Sequence, residues 1–335
     1  MKVVAIGGGT GLATLLRGLK LHLGEVARPA TARPIVTRLT AVVTVTDEGG
    51  SSGRLRREFG ILPPGDIRNC LVALAEDEKL LTQLFQYRFV DGRGLKGHSL
   101  GNLFLTALAR LTRDFAKAVR LSSEVLAIRG EIFPSTLSDV RLRAKLRNGR
   151  VISGESQITA TRVPIRQLFV VPKRCRPLPE TLAAIEAADL ISLGPGSLYT
   201  SLIPNLLVHG IPEAIAHSRA LKAYVCNLMT QPGETQGFTA SDHLLALDRH
   251  ADRRLFDHVI LNTQELSPAL RRRYAAEESE PVANDLAEVR ALGVEPITAP
   301  LLVQGRVARH HPARLANLLL QLAQARKQRS VLTLG

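Results

Sequence analysis

Apolar residues open the chain as Val3-Val4-Ala5-Ile6, give way to glycines, and return as Leu12, Leu15, Leu16 and Leu19 at helical spacing. The pattern predicts a strand, a tight loop and an amphipathic helix. A run rich in β-branched residues at 39–46 predicts a second strand, and Asp47-Glu48-Gly49-Gly50-Ser51-Ser52-Gly53 after it is a loop by composition. Pro63-Pro64-Gly65-Asp66 then opens a helix over residues 67–75, and helical periodicity continues through 80–89 and 100–126. Arg141, Arg143, Lys145 and Arg147 alternate with Val140, Leu142, Ala144 and Leu146 before Asn148-Gly149 turns the chain into Arg150-Val151-Ile152. That reads as a hairpin with one basic face.

From residue 168 the chain alternates again, with strands expected at 168–171, 190–193, 223–227 and 258–261 and helices at 180–188 and 242–248. A closing helix runs from residue 312 to about 327 with leucines on one face, and the residues after it are expected to be loose. The fold class is therefore α/β: a Rossmann-like, doubly wound, mostly parallel sheet with a helical insertion at about 79–130 and a β-hairpin at about 138–153. No linker-like stretch, repeat or low-complexity tract divides the chain, so residues 1–330 read as one domain, with a split near residue 135 as the alternative.

Composition narrows the classes. A chain of 335 residues, 45% of them apolar, can bury a large core. No apolar run approaches the roughly 18 residues a membrane span needs, and a cytoplasmic protein is expected. Cys70, Cys175 and Cys226 are odd in number and far apart, which fits neither a disulfide framework nor a zinc site. The net charge of +14 favours anionic company, yet aromatics make up only 4% of the chain, tryptophan is absent, and no nucleic-acid-binding signature appears. The expectation is a basic surface that attracts small anions, with no specific nucleic-acid partner. A homodimer is expected only because symmetric pairs are common.

Ligands of open α/β sheets sit outside the carboxyl ends of the strands, where the loops at residues 7–11, 47–53, 194–201 and 227–237 are expected to converge. Gly7-Gly8-Gly9-Thr10-Gly11 suits phosphate, because its amides and the following helix start present partial positive charge. It is not the dinucleotide fingerprint, since Leu12 stands where a third small residue belongs, and no Gly-Lys-Ser/Thr follows as in a Walker loop. A tight turn without ligand is the alternative. Asp47, Glu48 and Asp66 offer carboxylates for a magnesium ion against a diphosphate. They also read as turn residues and, for Asp66, a helix N-cap. Arg54, Arg56 and Arg57 are either phosphate clamps or a solvated face. Ser99 reads as an N-cap, His98 as a packed loop histidine or a functional one, and His310-His311 as a surface pair. Ser197 lacks the nucleophile-elbow pattern and fits a hydroxyl facing a nucleotide.

Six ordered motifs carry a resemblance. They are residues 5–12, 43–56, 62–71 and 97–102, then Gly194-Pro195-Gly196-Ser197-Leu198-Tyr199-Thr200-Ser201 and Cys226-Asn227-Leu228-Met229-Thr230-Gln231-Pro232-Gly233-Glu234-Thr235. The chain resembles the gluconeogenesis factor family, also called YvcK, and more distantly CofD, the 2-phospho-lactate transferase of deazaflavin cofactor synthesis. The resemblance implies a cytoplasmic bacterial protein needed for growth and cell shape on gluconeogenic carbon, a binder of UDP-sugars more than an enzyme, acting through an unidentified protein partner. Candidate nucleotide contacts are Gly8, Gly9, Thr10, Gly11, Leu12, Asn69, Gly194, Gly196, Ser197, Leu198, Asn227 and Thr230. The CofD resemblance implies Asp47 and Asp66 as magnesium ligands and as the candidate catalytic residues of the alternative, a metal-dependent transferase of a phosphate-containing group. Where the family shows Asp-Asp-Gly-Gly, this chain has Glu48 at the second position.

Overall fold

The computed structural model describes residues 1–24, 35–76 and 79–332. Its strands are β1 (Lys2–Gly7), β2 (Arg38–Val43), β3 (Glu131–Pro134), β4 (Arg141–Leu146), β5 (Val151–Ser153), β6 (Ile165–Val171), β7 (Leu190–Leu193), β8 (Leu221–Val225), β9 (His258–Asn262), β10 (Glu295–Ala299), β11 (Leu302–Gln304) and β12 (Ala308–His310). Seven of them form one parallel sheet in the order β10-β9-β8-β7-β1-β2-β3. The chain moves outward from β1 to β3, then restarts beside β1 with β7 and moves outward the other way. The order thus reverses between β1 and β7, the place where such sheets leave a crevice for ligand.

Along β1, Val3 and Ala5 enter one apolar core while Val4 and Ile6 enter the other. Both faces are covered, which is why the strand is apolar without alternation. The helices Gly9–Lys20, Gly65–Leu74 and Pro312–Leu332 pack on one face, and Pro179–Glu186, Ile211–His217 and Ala240–Ala251 on the other. Gly18 is where the first helix meets the last: a Cβ there would lie 2.1 Å from the Pro312 carbonyl oxygen. Among the described residues, no helix is long and apolar enough to cross a membrane.

The hairpin is present, with Leu142, Ala144 and Leu146 buried and the intervening cations exposed. However, the strand expected at 168–171 does not resume the parallel alternation. As β6 it pairs antiparallel with β4, making a separate sheet in the order β5-β4-β6. The supposed loop at 47–53 is only half loop, because the helix Gly50–Phe59 begins inside it; its buried Ser51, Ser52, Gly53 and Leu55 outweigh a composition poor in helix formers. The helical stretch at 100–126 is two helices, Leu100–Thr112 and Phe115–Val125. Arg113 turns left-handed and the Asp114 carboxylate accepts the Lys117 amide at 3.0 Å, restarting the helix. The last helix runs to Leu332, beyond the expected end near 327, and the remainder of the expected tail lies outside the described residues.

Candidate functional site

The loops leaving β1, β7 and β8 meet in a cavity of about 510 Å³ at the carboxyl edge of the sheet. Of the candidate nucleotide contacts, Gly8, Gly9, Thr10, Gly11, Gly196, Ser197, Asn227 and Thr230 line it. Gly11 lies so close to the Pro195 carbonyl that a Cβ would sit 2.3 Å from its oxygen, so the two loops form one wall. The helix Gly9–Lys20 starts on that wall with no side-chain cap from its own N-cap residue, and beyond the Gly9 amide, which Asp66 accepts, the Thr10 and Gly11 amides are left for a ligand. Four expected contacts lie elsewhere. Leu12 and Leu198 are fully buried in the cores, and Gly194 packs behind the wall against the Val225 carbonyl. Asn69 lines two smaller neighbouring recesses.

Several cavity residues had no local signal in sequence. Tyr274, Glu277 and Ser279 arrive from the helix Pro268–Ala276 and the turn after it, and Arg309 and His310 from β12. His310 is a correction to the expected surface pair: it is buried, its Nε2 has no partner, and burial pushes its pKa down to about 4, so it stays neutral. Asn227 Oδ1 and Gln231 Oε1 are also buried without partners, while Gln231 donates to Ser197 Oγ at 3.0 Å. Buried polar atoms left open in a cavity wall are ready-made contacts for a ligand.

The loop after β2 forms a separate recess of about 240 Å³ containing Asp47 and Asp66. Asp66 is not an N-cap. It sits inside the first turn of Gly65–Leu74 with Pro64 in the cap position, and it accepts the Gly9 amide, tying this recess to the glycine loop. Burial first, then the facing Asp47 carboxylate, pushes its pKa up to about 7. Asp47 accepts the Gly49 amide at 2.8 Å. Glu155, at the start of the helix Glu155–Ala160, faces the same pair and is raised by burial and by Asp47; no motif pointed to it. Among the described residues, no group of three or more His, Cys, Asp or Glu side chains is arranged to hold a metal. Two carboxylates do suit magnesium, which keeps several waters and takes the rest of its oxygens from substrate phosphates.

Glu48 turns away from this pair. Its carboxylate lies 3.6 Å from the Arg56 guanidinium, which is buried and also donates to Asp139 and to the Val140 carbonyl. The longer side chain therefore braces the helix Gly50–Phe59 against β4, and Arg56 is not a phosphate clamp. Arg54 donates to the Lys96 carbonyl, and Arg57 is exposed. Ser99 caps its helix by accepting the Asn102 amide, and the buried His98 shares a 2.8 Å hydrogen bond with Ser51 Oγ, a packing role.

Glu234, in the loop after β8, is buried with neither carboxylate oxygen partnered within ordinary hydrogen-bond limits. Burial, then Glu155, pushes its pKa up to about 7, tempered by the nearby Thr159 hydroxyl and Tyr199 amide. Because the folded pKa lies above the unfolded one, the proton stabilises the fold below the ordinary carboxylate range, and that stability is lost as pH rises toward 7. Glu234→Gln is expected to stabilise the protein by on the order of 2–3 kcal/mol at pH 8 and by little at pH 5. Denaturant melts at the two pH values check this, and equal effects at both would refute it.

The model of the family described as 2-phospho-L-lactate transferase CofD matches residues 3–302. A gluconeogenesis factor of Halalkalibacterium halodurans is 47% identical over 320 residues, covering 95% of each chain. The gluconeogenesis factor of Bacillus subtilis is 46% identical over 322 residues, covering 96% of this chain and 98% of its own. A Bacillus halodurans crystal structure described as a member of the UPF0052 family superposes with a TM-score of 0.89 at 46% identity, covering 95% of this chain and 98% of that one.

Proposed function

The chain belongs to the gluconeogenesis factor family, within the wider CofD family, and from that premise we propose that it binds a UDP-sugar in the cavity between β1 and β7. The observation that carries this reading is the pairing of two wall chemistries in one cavity of about 510 Å³. One wall is the start of the helix Gly9–Lys20, whose Thr10 and Gly11 amides suit a diphosphate. The other holds the open oxygens of Asn227 and Gln231 and the neutral His310, acceptors suited to the imide N–H of uracil. Tyr274 offers a ring face and Arg309 a fork for phosphate oxygens. The occupied protein then acts on metabolism or envelope synthesis in the cytoplasm through a protein partner.

UDP-glucose at about 100 times its dissociation constant should stabilise the fold by about 2.7 kcal/mol. Thermal melts with and without magnesium test this: stabilisation that needs no metal supports the binder, and absence of any stabilisation refutes it.

The proximity of Asp47 and Asp66 to the glycine loop favours one second reading, a magnesium-dependent transfer of a phosphate-containing group from a nucleotide to a hydroxyl, in which the diphosphate P–O bond breaks, the nucleoside monophosphate leaves and the hydroxyl proton passes to solvent. Magnesium held by this pair would neutralise phosphate charge in the transfer. The chain's own part would be to fix the diphosphate on the Thr10 and Gly11 amides and to hold Asp66 facing Asp47, a pair whose mutual repulsion a bound cation would relieve. Under this reading nucleotide consumption requires magnesium and is lost in Asp66→Asn; consumption that persists in the variant would sink it.

A further inference from the structure

A recess of about 260 Å³ adjoins the nucleotide cavity and shares Thr10 and Arg309 with it. Its wall gathers Arg17 of the first helix, Arg68 of the helix after Pro64, Arg88 of the insertion and Arg309 of β12, and it contains no carboxylate. These residues are far apart in sequence, so the fold and not a local charge run brings them together. Arg17 donates to Thr14 Oγ1 at 3.0 Å, Arg68 to Ser99 Oγ and Asn69 Oδ1 at 2.7 Å each, and Arg88 to the Gly97 carbonyl. All of these acceptors are neutral, and Arg68 Nε is buried with no partner. Burial, followed by the like charge of Arg309, holds the Arg17 pKa below its ordinary value. Asp66 and Asp47 of the adjoining recess offset part of the Arg68 charge, but among the described residues none of the four arginines forms a close ion pair; converging cations repel one another, and an anion in their midst removes that cost.

We propose that this recess is a second anion subsite, which takes a phosphate group, as a small phosphomonoester or as inorganic phosphate, while the nucleotide is bound. The word second rests on the UDP-sugar reading of the adjoining cavity. A dianion with three free oxygens matches several guanidinium forks better than a carboxylate does. The nucleotide's own diphosphate is already met by the first-turn amides of the Gly9–Lys20 helix on the other side of Thr10. The recess is larger than one phosphate group, and the amides of Asn69 and Gln86 in its wall suit hydroxyls of an attached scaffold.

The test is calorimetric titration of inorganic phosphate, and in a second arm glycerol phosphate, into full-length protein saturated with UDP-glucose. Phosphate is expected to bind the saturated protein. Arg17→Ala and Arg88→Ala, both at exposed side chains, should each weaken it by about tenfold, the loss of one charge-assisted contact, while UDP-glucose affinity moves by less than about threefold. Tighter binding of glycerol phosphate identifies the ester as the occupant, and tighter binding of inorganic phosphate identifies the free ion. Phosphate that only displaces UDP-glucose, or that binds both variants like the unaltered protein, overturns the proposal. If UDP-glucose does not bind at all but phosphate binds in an arginine-dependent way, the nucleotide reading falls and the anion subsite stands.

Discussion

Gly9→Asp is expected to lower affinity for UDP-glucose by more than about a hundredfold, close to 3 kcal/mol, while leaving the chain folded. Two effects add. Gly9 has φ of +63°, a region where a residue with a Cβ is strained by roughly 1 kcal/mol, aspartate being among the more tolerant. The larger effect is the new carboxylate at the wall where the diphosphate is expected, beside Asp66, which already accepts the Gly9 amide. Space is not the obstacle, since the nearest atom to an added Cβ is Ser201 Oγ at 3.6 Å. Gly9→Ala separates the two effects, because it carries the strain without the charge and should cost far less. Calorimetry on variants whose melts confirm folding is the measurement. Near-normal affinity in Gly9→Asp would remove the phosphate from this loop, and equal losses in both variants would make backbone geometry the whole cause.

Gly18→Ala should destabilise the fold by on the order of 3 kcal/mol, an unusually large effect for one methyl group. The added carbon would lie 2.1 Å from the Pro312 carbonyl oxygen, 2.6 Å from its carbon and 3.0 Å from Ala316 Cβ. The obstructing atoms are backbone, so the helices Gly9–Lys20 and Pro312–Leu332 must separate to admit it. Ala316→Gly in the same chain should therefore rescue little. Denaturant melts of the single and double variants decide the matter, and a loss below about 1 kcal/mol would show that the two helices slide apart easily.

The parallel sheet was legible because β1, β7, β8 and β9 carry short apolar runs bounded by loop residues. β3 and β10 were not, since each is short and contains proline, and their place at the sheet edges is decided by tertiary packing. The same division runs through the site. Glycine, serine and asparagine loops announced the cavity floor, as close approach of backbone demands those residue types. Tyr274, Arg309 and His310 left no trace, because they reach the cavity from a helix and a strand of the small β11-β12 pair whose position no local pattern encodes. The arginines of the neighbouring recess are single residues of ordinary helices and loops, and only the fold makes them one group. Glu48 shows the converse: it departs from the family motif right beside a candidate metal ligand, yet its extra methylene reaches Arg56 and serves the scaffold.

The strand order has a consequence for the order of events in time. β1 lies in the middle of the sheet, but one of its neighbours, β7, begins 188 positions later in a chain that a ribosome delivers from the front. Until β7 arrives, the finished β1-β2-β3 half exposes an unpaired apolar edge, the kind of surface that invites wrong partners. Pairing across so long a separation is slow, and the helix that packs on Gly18 comes later still. A nucleotide that needs the loops after both β1 and β7 can therefore recognise only chains whose second half has already folded, and its binding favours completed molecules over nascent ones.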